Sequence, residues 1–292
     1  MNKSTAVTKI LDKALSAKIE RFEKEMEKCR RHFSEKATHN LRISLRRLIS
    51  AIEVTGAILG MVKTSKPRKM LKQWLDLFGQ LRDVQVKLLA ARKLKETYPG
   101  VEPYAAGLKA REKDLIEAIG KEARKMKTPK IKKGIKPALK KIRDLPLKEF
   151  KQEKYLVEAI NFVDVKHHDV IARARRISKS NLKTIHETRL AFKKFRYSVE
   201  ALAPVLGGVT REKLDQMSKF QRMMGDINDI QALHADISRF ARTKDGKELG
   251  LREVLEELDE QLKTAIGALI ANLGALDGFW AGYESQEAEG DE

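Results

Sequence analysis

The residues with the clearest chemical meaning in this chain are cations and histidines that occur twice at the same spacing. In each copy a histidine is followed by an arginine three positions later and by two adjacent cations seven and eight positions later. Every matched pair lies 147 positions apart. The first copy consists of His39, Arg42, Arg46 and Arg47, and the second of His186, Arg189, Lys193 and Lys194. Arginine binds phosphate oxygens in a bidentate manner and lysine supplies a mobile point charge, so the repeated pattern predicts a site for a phosphate-rich anion.

Each copy falls on one side of a predicted helix. At about 100° per residue, Arg42 and Arg46 lie within about 60° of His39, and the leucines between them form a separate apolar face. In the second copy Arg196 and Tyr197 extend the same side. Each helix is therefore expected to pack one side and to present a stripe of positive charge on another. Nearby phosphate would favour protonated histidine, which predicts pH-sensitive contacts at the two histidines.

A second matched segment lies 146 positions apart and begins at Gly79 and Gly225. Glycine inside a helix costs about 1 kcal/mol relative to alanine, so both glycines predict a close approach of the second and third helices of each half. Glu53 and Glu200 also match, 147 positions apart, at the far end of each stripe. We expect these two carboxylates to orient a neighbouring arginine or lysine.

Long segments with apolar residues at i, i+3 and i+4 predict an all-α fold. The predicted helices cover roughly residues 5–36, 38–60, 66–98 and 102–127, then 152–178, 181–206, 210–243 and 247–282. A repeat of this length indicates two homologous halves, at 5–127 and 152–283, joined by a linker at 128–151 that includes a short helix. Two four-helix bundles related by a pseudo-twofold axis are the simplest arrangement. Residues 284–292 are predicted to be an acidic, disordered tail.

The composition favours an anionic partner. Sixty lysines and arginines exceed forty-one acids, which gives a net charge of +19. Such an excess attracts polyanions from a distance. Cys29 is the only cysteine, so no internal disulfide forms, and no stretch approaches the roughly 20 apolar residues that cross a bilayer. The sequence predicts a soluble, cytoplasmic protein without a membrane partner.

The stripes, together with the segments that begin at Gly79 and Gly225, resemble the CHAD family, a helical domain that is named for its histidines and built from two four-helix repeats. The resemblance covers residues 5–283 and implies a central basic cleft or pore that binds inorganic polyphosphate. Family members associate with polyphosphate granules, which extends the expectation to granule association. Ile49 and Ser50 stand where the second half has Arg196 and Tyr197. The two stripes, which would form the two walls of the cleft, are therefore expected to be unequal.

The predicted polyphosphate contacts comprise both stripes, Arg82 from the Gly79 segment and four cations on the helices that precede the stripes. They are His39, Arg42, Arg46, Arg47, His186, Arg189, Lys193, Lys194, Arg196, Tyr197, Arg82, Lys18, Arg21, Lys28 and Arg175. No catalytic residue, cofactor or metal ligand is predicted.

Three other functions remain open. The net charge also suits nonspecific nucleic-acid binding, although the stripes carry little aromatic surface on which bases could stack. A phosphoryl-transfer enzyme needs metal ligands, for which Asp83, Asp226 and Asp229 are candidates, but the chain has no glycine-rich phosphate loop. In the third alternative the basic surface docks on an acidic protein or on a granule coat.

The stripe hypothesis predicts that the double variant Arg42→Glu, Arg189→Glu loses polyphosphate binding, because it reverses one charge in each wall. Helicity and melting temperature are expected to change little. Calorimetric titration and circular dichroism measure these two outcomes, and normal binding by the double variant would contradict the hypothesis.

Overall fold

The computed structural model describes residues 7–60, 65–145, 149–206 and 208–281, and all of its long elements are helices. The all-α prediction is therefore confirmed. Within these ranges the α-helices are α1 (Val7–Arg31), α2 (Glu35–Ile58), α3 (Ser65–Thr97), α4 (Glu102–Lys125), α5 (Thr128–Arg143), α6 (Glu149–Ala174), α7 (Leu182–Leu202), α8 (Arg211–Phe240) and α9 (Arg252–Ala271). Short 3-10 helices occupy Pro99–Val101 and Leu273–Phe279.

Polar side chains cap the beginnings of the helices that carry the matched segments. The Ser34 hydroxyl accepts a hydrogen bond from the backbone N–H of Ala37 at the start of α2, at 3.3 Å. Asn181 caps α7, and the Thr210 hydroxyl caps α8 by accepting from the N–H of Lys213 at 3.1 Å. Such caps satisfy backbone donors that lack a partner in the first turn. They fix where each stripe helix begins.

Helices α2 and α7 lie at the centre of the molecule. α2 packs on α1, α3, α6 and α7, and α7 packs on α2, α6 and α8. One hydrophobic core contains buried residues from both predicted halves, among them Phe22, Leu45, Phe192 and Phe195. A smaller apolar cluster packs the C-terminal parts of α3 and α8 against the N-terminal parts of α4 and α9. The pseudo-twofold relation between the halves stays a prediction.

The segment predicted as a short helix plus linker contains the amphipathic helix α5. Its isoleucines Ile131, Ile135 and Ile142 are buried, and the helix packs on α1 and α3. Pro137 lies inside α5. Part of the predicted linker is therefore a packed element of the fold, because its apolar residues recur at helical spacing and face the first half.

The last predicted helix, 247–282, is wrong at both ends. α9 covers only Arg252–Ala271, and the 3-10 helix Leu273–Phe279 follows it. The segment after α9 is hydrogen-bonded to α6, because the Trp280 indole N–H donates to the Asp164 carboxylate. The His167 Nε2–H donates to the carbonyl of Leu276 at 3.0 Å. These two hydrogen bonds to α6 hold the chain after α9 in a conformation that differs from a regular α-helix.

Aromatic contacts connect the same C-terminal segment to the stripe helix of the second half. The Phe279 ring lies 5.7 Å from that of Phe192 on α7 and 5.6 Å from that of Phe220 on α8. The predicted acidic tail, 284–292, lies outside the described residues. Within the described part of the chain, no helix is both long and apolar enough to cross a membrane.

Candidate anion-binding site

The packing of α2 against α7 brings the two stripes together. Arg42 and Arg46 on α2 lie close enough to Lys193 on α7 to lower the pKa of its ammonium group. Arg46 also lowers the pKa of Arg189. We call Arg42, Arg46, Arg189 and Lys193 the cation cluster. Its members come from both halves of the sequence, so the two predicted walls meet in one place.

The cluster is partly withdrawn from water, and this changes its charge. Burial, together with the repulsion of Arg46, Arg189 and Arg42, lowers the pKa of Lys193 from 10.5 to about 6, although Asp229 opposes the change. A charged group loses hydration when it is buried and gains further free energy beside like charges. At pH 7 most Lys193 side chains are therefore neutral in the free protein.

Arg42 is bound to the protein. Its guanidinium Nη1 donates to the carbonyl of Leu75 on α3 at 2.6 Å. It lies against Gly79, where an added Cβ atom would come within 2.8 Å of Nη1. The prediction that Gly79 admits a close neighbour is confirmed, and the neighbour is the Arg42 side chain. Burial and the charge of Arg46 lower the pKa of Arg42 to about 10.

Arg46, Arg189 and Lys193 differ from Arg42. Within the described parts of the chain, none of these three side chains makes a hydrogen bond or an ion pair. They are half-buried, yet none of their nitrogen atoms is sealed from solvent without a partner. Half-buried cations without a protein partner suit an external anion, because unpaired charge in a desolvated place is costly.

The histidines lie at the edges of the cluster. His39 is exposed, and the pKa of its imidazole is lowered by partial desolvation and by the charges of Arg82, Arg46 and Arg42, against the effect of Glu35. In the free protein His39 is therefore less readily charged than an isolated histidine. His186 is also exposed, and its Nδ1–H donates to the side-chain oxygen of Asn228 on α8 at 3.0 Å.

The two matched glutamates orient cations, as predicted. Glu200 lies 2.5 Å from Nε of Arg47 and 3.9 Å from Nζ of Lys18. Glu53 lies 2.5 Å from Nε of Arg68 on α3. Arg47 is thus paired across the α2–α7 contact. Lys194, its match in the second half, is exposed and makes no ion pair with any described residue.

The structure corrects the expectation that Arg196 and Tyr197 extend the stripe. Only 9% of Arg196 and 6% of Tyr197 is exposed. The Arg196 Nε–H donates to the Gln221 side-chain oxygen on α8 at 2.9 Å, and the guanidinium lies 4.7 Å from the centre of the Tyr197 ring. Both side chains are occupied by packing between helices, so the accessible stripe on α7 ends at Lys193 and Lys194.

The remaining predicted contacts lie outside the cluster or have protein partners. Arg82 on α3 is hydrogen-bonded to Glu35, beside His39. Arg21 and Lys28 both contact the buried carboxylate of Glu25, at 3.0 and 3.4 Å. Arg175 is exposed just after the end of α6. Helical spacing relates Glu25 to Arg21 and Lys28 on α1, whereas the partner of Arg82 lies on another helix and could not be predicted from local spacing.

Two aspartates border the cluster. Asp83 on α3 acts electrostatically on Arg42 and Arg189, and Asp229 on α8 acts on Arg189 and Lys193. Burial and the charge of Asp229 raise the pKa of Asp226. Within the described residues, no three side chains of histidine, cysteine, aspartate or glutamate are grouped so that they could hold a metal ion.

Gly225 does not behave like its match. A Cβ atom added there would meet no atom within 4 Å, so the prediction of a close neighbour at this glycine is wrong. The Arg189 side chain does not occupy the place over Gly225 that Arg42 occupies over Gly79. The two halves therefore share their residue types in this region but differ in how the matched arginine is held.

Comparisons with known proteins agree with the fold. The family model for the CHAD domain matches residues 13–238. The crystal structure of the CHAD domain from the plant Ricinus communis has a TM-score of 0.68 and 16% identity, and covers 96% of this chain and 93% of its own. PptA from Streptomyces chartreusis has a TM-score of 0.59 and 16% identity, with coverage of 89% and 99% respectively. No curated protein matches this sequence.

The electrostatic strain in the cluster predicts that Lys193→Met stabilises the protein. An ammonium group whose pKa is lowered on folding destabilises the fold at every pH below its unfolded value, and the cost grows as pH falls towards about 6. We expect a gain of about 1–3 kcal/mol in the free energy of unfolding at pH 7, which shrinks as pH approaches the unfolded pKa.

Urea denaturation at pH 7 and at about pH 9.5 measures this gain. The exposed neighbour Lys194 offers a matched control, because Lys194→Met makes the same substitution in the same helix and should change stability by less than about 0.5 kcal/mol. A Lys193→Met protein that is no more stable than the control at pH 7 contradicts the prediction.

Proposed function

Because the chain belongs to the CHAD domain family, we propose that it binds inorganic polyphosphate, and that the cation cluster between α2 and α7 is where the phosphate chain sits. The observation that carries the proposal is the convergence of Arg46, Arg189 and Lys193 from two distant segments without protein partners. A linear chain of phosphates supplies the dense negative charge that such a group lacks. His39 and His186 lie at its edges as further contacts.

The chemistry of the cluster suits a repetitive anion. Arg46 and Arg189 offer planar donors to pairs of phosphate oxygens, and Lys193 offers a point charge between them. The net charge of +19 draws polyanions towards the protein. We propose that the protein acts by binding alone, without catalysis or cofactor, in the cytoplasm and at polyphosphate granules.

Nucleic acid is the main competing ligand, and the environment of Tyr197 argues against it. Proteins that bind single strands usually stack bases on aromatic side chains. Tyr197, the one aromatic residue in the predicted stripes that suited this role, is 6% exposed and covered by Arg196. A ligand made only of phosphate needs no such surface. Nucleic acid would bind through its backbone alone, with a steep dependence on salt.

Arg46→Glu is the sharpest test of the proposed site, because Arg46 makes no hydrogen bond or ion pair with the described residues. We expect affinity for long-chain polyphosphate to fall at least roughly tenfold, since a charge-assisted contact contributes about 1.5–3 kcal/mol. Melting temperature should not fall, because the change removes repulsion from the cluster. Isothermal titration calorimetry at about 150 mM salt, near physiological ionic strength, measures the affinity.

The control is Lys244→Glu, which changes net charge equally at an exposed position after α8. Titration with single-stranded RNA at equal phosphate concentration separates the two ligands. Equal losses in the two variants would mean that general charge, and not the cluster, attracts the anion. Equal binding of RNA and polyphosphate would make nucleic acid the favoured ligand.

The low pKa of Lys193 predicts that binding takes up a proton. Its neighbours are Arg42 and Arg46 from α2, Arg189 from its own helix and Asp229 from α8. A bound phosphate chain favours the charged ammonium and raises its pKa, so the association constant should fall as pH rises above about 6, by at most tenfold per pH unit.

Calorimetry at about pH 7.5 in two buffers with different ionisation enthalpies counts the protons taken up. Lys193→Arg keeps the positive charge but cannot titrate in this range, so its uptake should be smaller. His39→Gln should lower the uptake by less than Lys193→Arg does, because His39 lies at the edge of the cluster and Lys193 lies within it. Undiminished uptake in Lys193→Arg would refute this assignment.

A further inference from the structure

The matched glycines expose a difference between the two halves. Over Gly79, the guanidinium of Arg42 fills the place that a side chain would take and donates to the carbonyl of Leu75. Over Gly225, no atom lies within 4 Å of the position of an added Cβ atom. The same pair of residue types thus gives a filled contact in the first half and an open space in the second.

The contacts between α7 and α8 locate this open space. His186 is hydrogen-bonded to Asn228, and Arg196 to Gln221, so the two helices run antiparallel. Gly225 lies between Gln221 and Asn228 along α8, and therefore faces the part of α7 between His186 and Arg196. That part carries Arg189 and Lys193.

The part of α8 that carries Gly225 also lies beside the cation cluster. Asp229 follows Gly225 by one helical turn and acts on both Arg189 and Lys193. Neither cation forms an ion pair with it within the described residues. The space over Gly225 therefore lies next to two half-buried cations that no protein group binds.

We propose that the space over Gly225, between α7 and α8, is a phosphate subsite, and that Arg189 binds the ligand there while Arg42 only holds α2 to α3. This inference rests on the proposed function, because it names where the phosphate chain contacts the cluster. The space is open at a residue without a side chain, and a slim chain without bases or sugars fits such a place. Asp229 lies beside Arg189 and Lys193, and its negative charge repels the ligand towards these cations.

Gly225→Leu tests the subsite directly. The Cβ position is open and leucine favours a helix more than glycine does, so the variant should fold and melt at or above the wild-type temperature. Its longer side chain fills the space, and we expect the dissociation constant for long-chain polyphosphate to rise at least tenfold. Gly267→Leu on α9 is the matched control, because the Cβ position there is equally open.

A second pair of variants compares the matched arginines. Arg189→Gln should weaken polyphosphate binding at least tenfold with no fall in melting temperature, because Arg189 has no bond to lose within the described residues. Arg42→Gln should lower the melting temperature, because it loses the bond to Leu75, and should weaken binding less. This bond corrects the expectation that the double variant Arg42→Glu, Arg189→Glu keeps its melting temperature, which should fall because the bond to Leu75 is lost.

The outcomes separate the subsite from the function. Weak binding by Gly225→Leu, with normal binding by Gly267→Leu, supports the subsite. Normal binding by Gly225→Leu, or equal losses in Arg42→Gln and Arg189→Gln, overturns it, while a loss in Arg46→Glu leaves the proposed function intact. If Arg46→Glu also binds normally, the proposed location at the cation cluster fails, and the proposed function itself fails if the wild-type protein does not bind polyphosphate.

Discussion

The arrangement of this protein depends on the contact between α2 and α7, where like charges are held together and partly removed from water. Arg42, Arg46, Arg189 and Lys193 repel one another, and burial adds to the cost of their charge. The opposite faces of the same two helices offset that cost, because they are buried in a continuous apolar core. Phe192 and Lys193 are adjacent in sequence, so the force that packs α7 also fixes the cation beside it.

The proposed site keeps like charges together at some expense of stability. Residues that are kept for function often make a protein less stable than substitutions at the same positions would. A cluster of like charges has this effect. A ligand that binds only the folded protein returns stability in proportion to its concentration relative to its dissociation constant. Lys193 is sensitive to this balance, because burial and the repulsion of neighbouring arginines lower its pKa to about 6.

The matched segments of the chain use the same residue types in different ways. In the first half Arg42 is held by the Leu75 carbonyl, and Arg47 pairs with Glu200 of the second half. Within the described residues no matching ion pair joins Lys194 to Glu53, and Glu53 pairs with Arg68 and Lys72 on α3. Among the matched cations of the described residues, Arg42 and Arg47 of the first segment have protein partners, whereas Arg189, Lys193 and Lys194 of the second have none.

Local pattern determined much of this structure from the sequence alone. Apolar spacing predicted the long helices to within a few residues at most ends, with the region after α9 as the main exception. The repeat predicted two stripes of cations, one on α2 and one on α7, and Gly79 was correctly interpreted as a point of close approach. These features depend on residues a few positions apart, and helical periodicity relates such residues directly.

Only the tertiary structure decided which of these cations are available. Arg42 and Arg189 look alike in the sequence, but a carbonyl on α3 holds only the first. Gly79 and Gly225 also look alike, yet only one is covered, and Arg196 and Tyr197 are buried against neighbouring side chains. The pKa of Lys193 depends on α2, about 147 residues away in the chain. Desolvation, charge repulsion and pairing all depend on helices distant in sequence, and no local pattern encodes their approach.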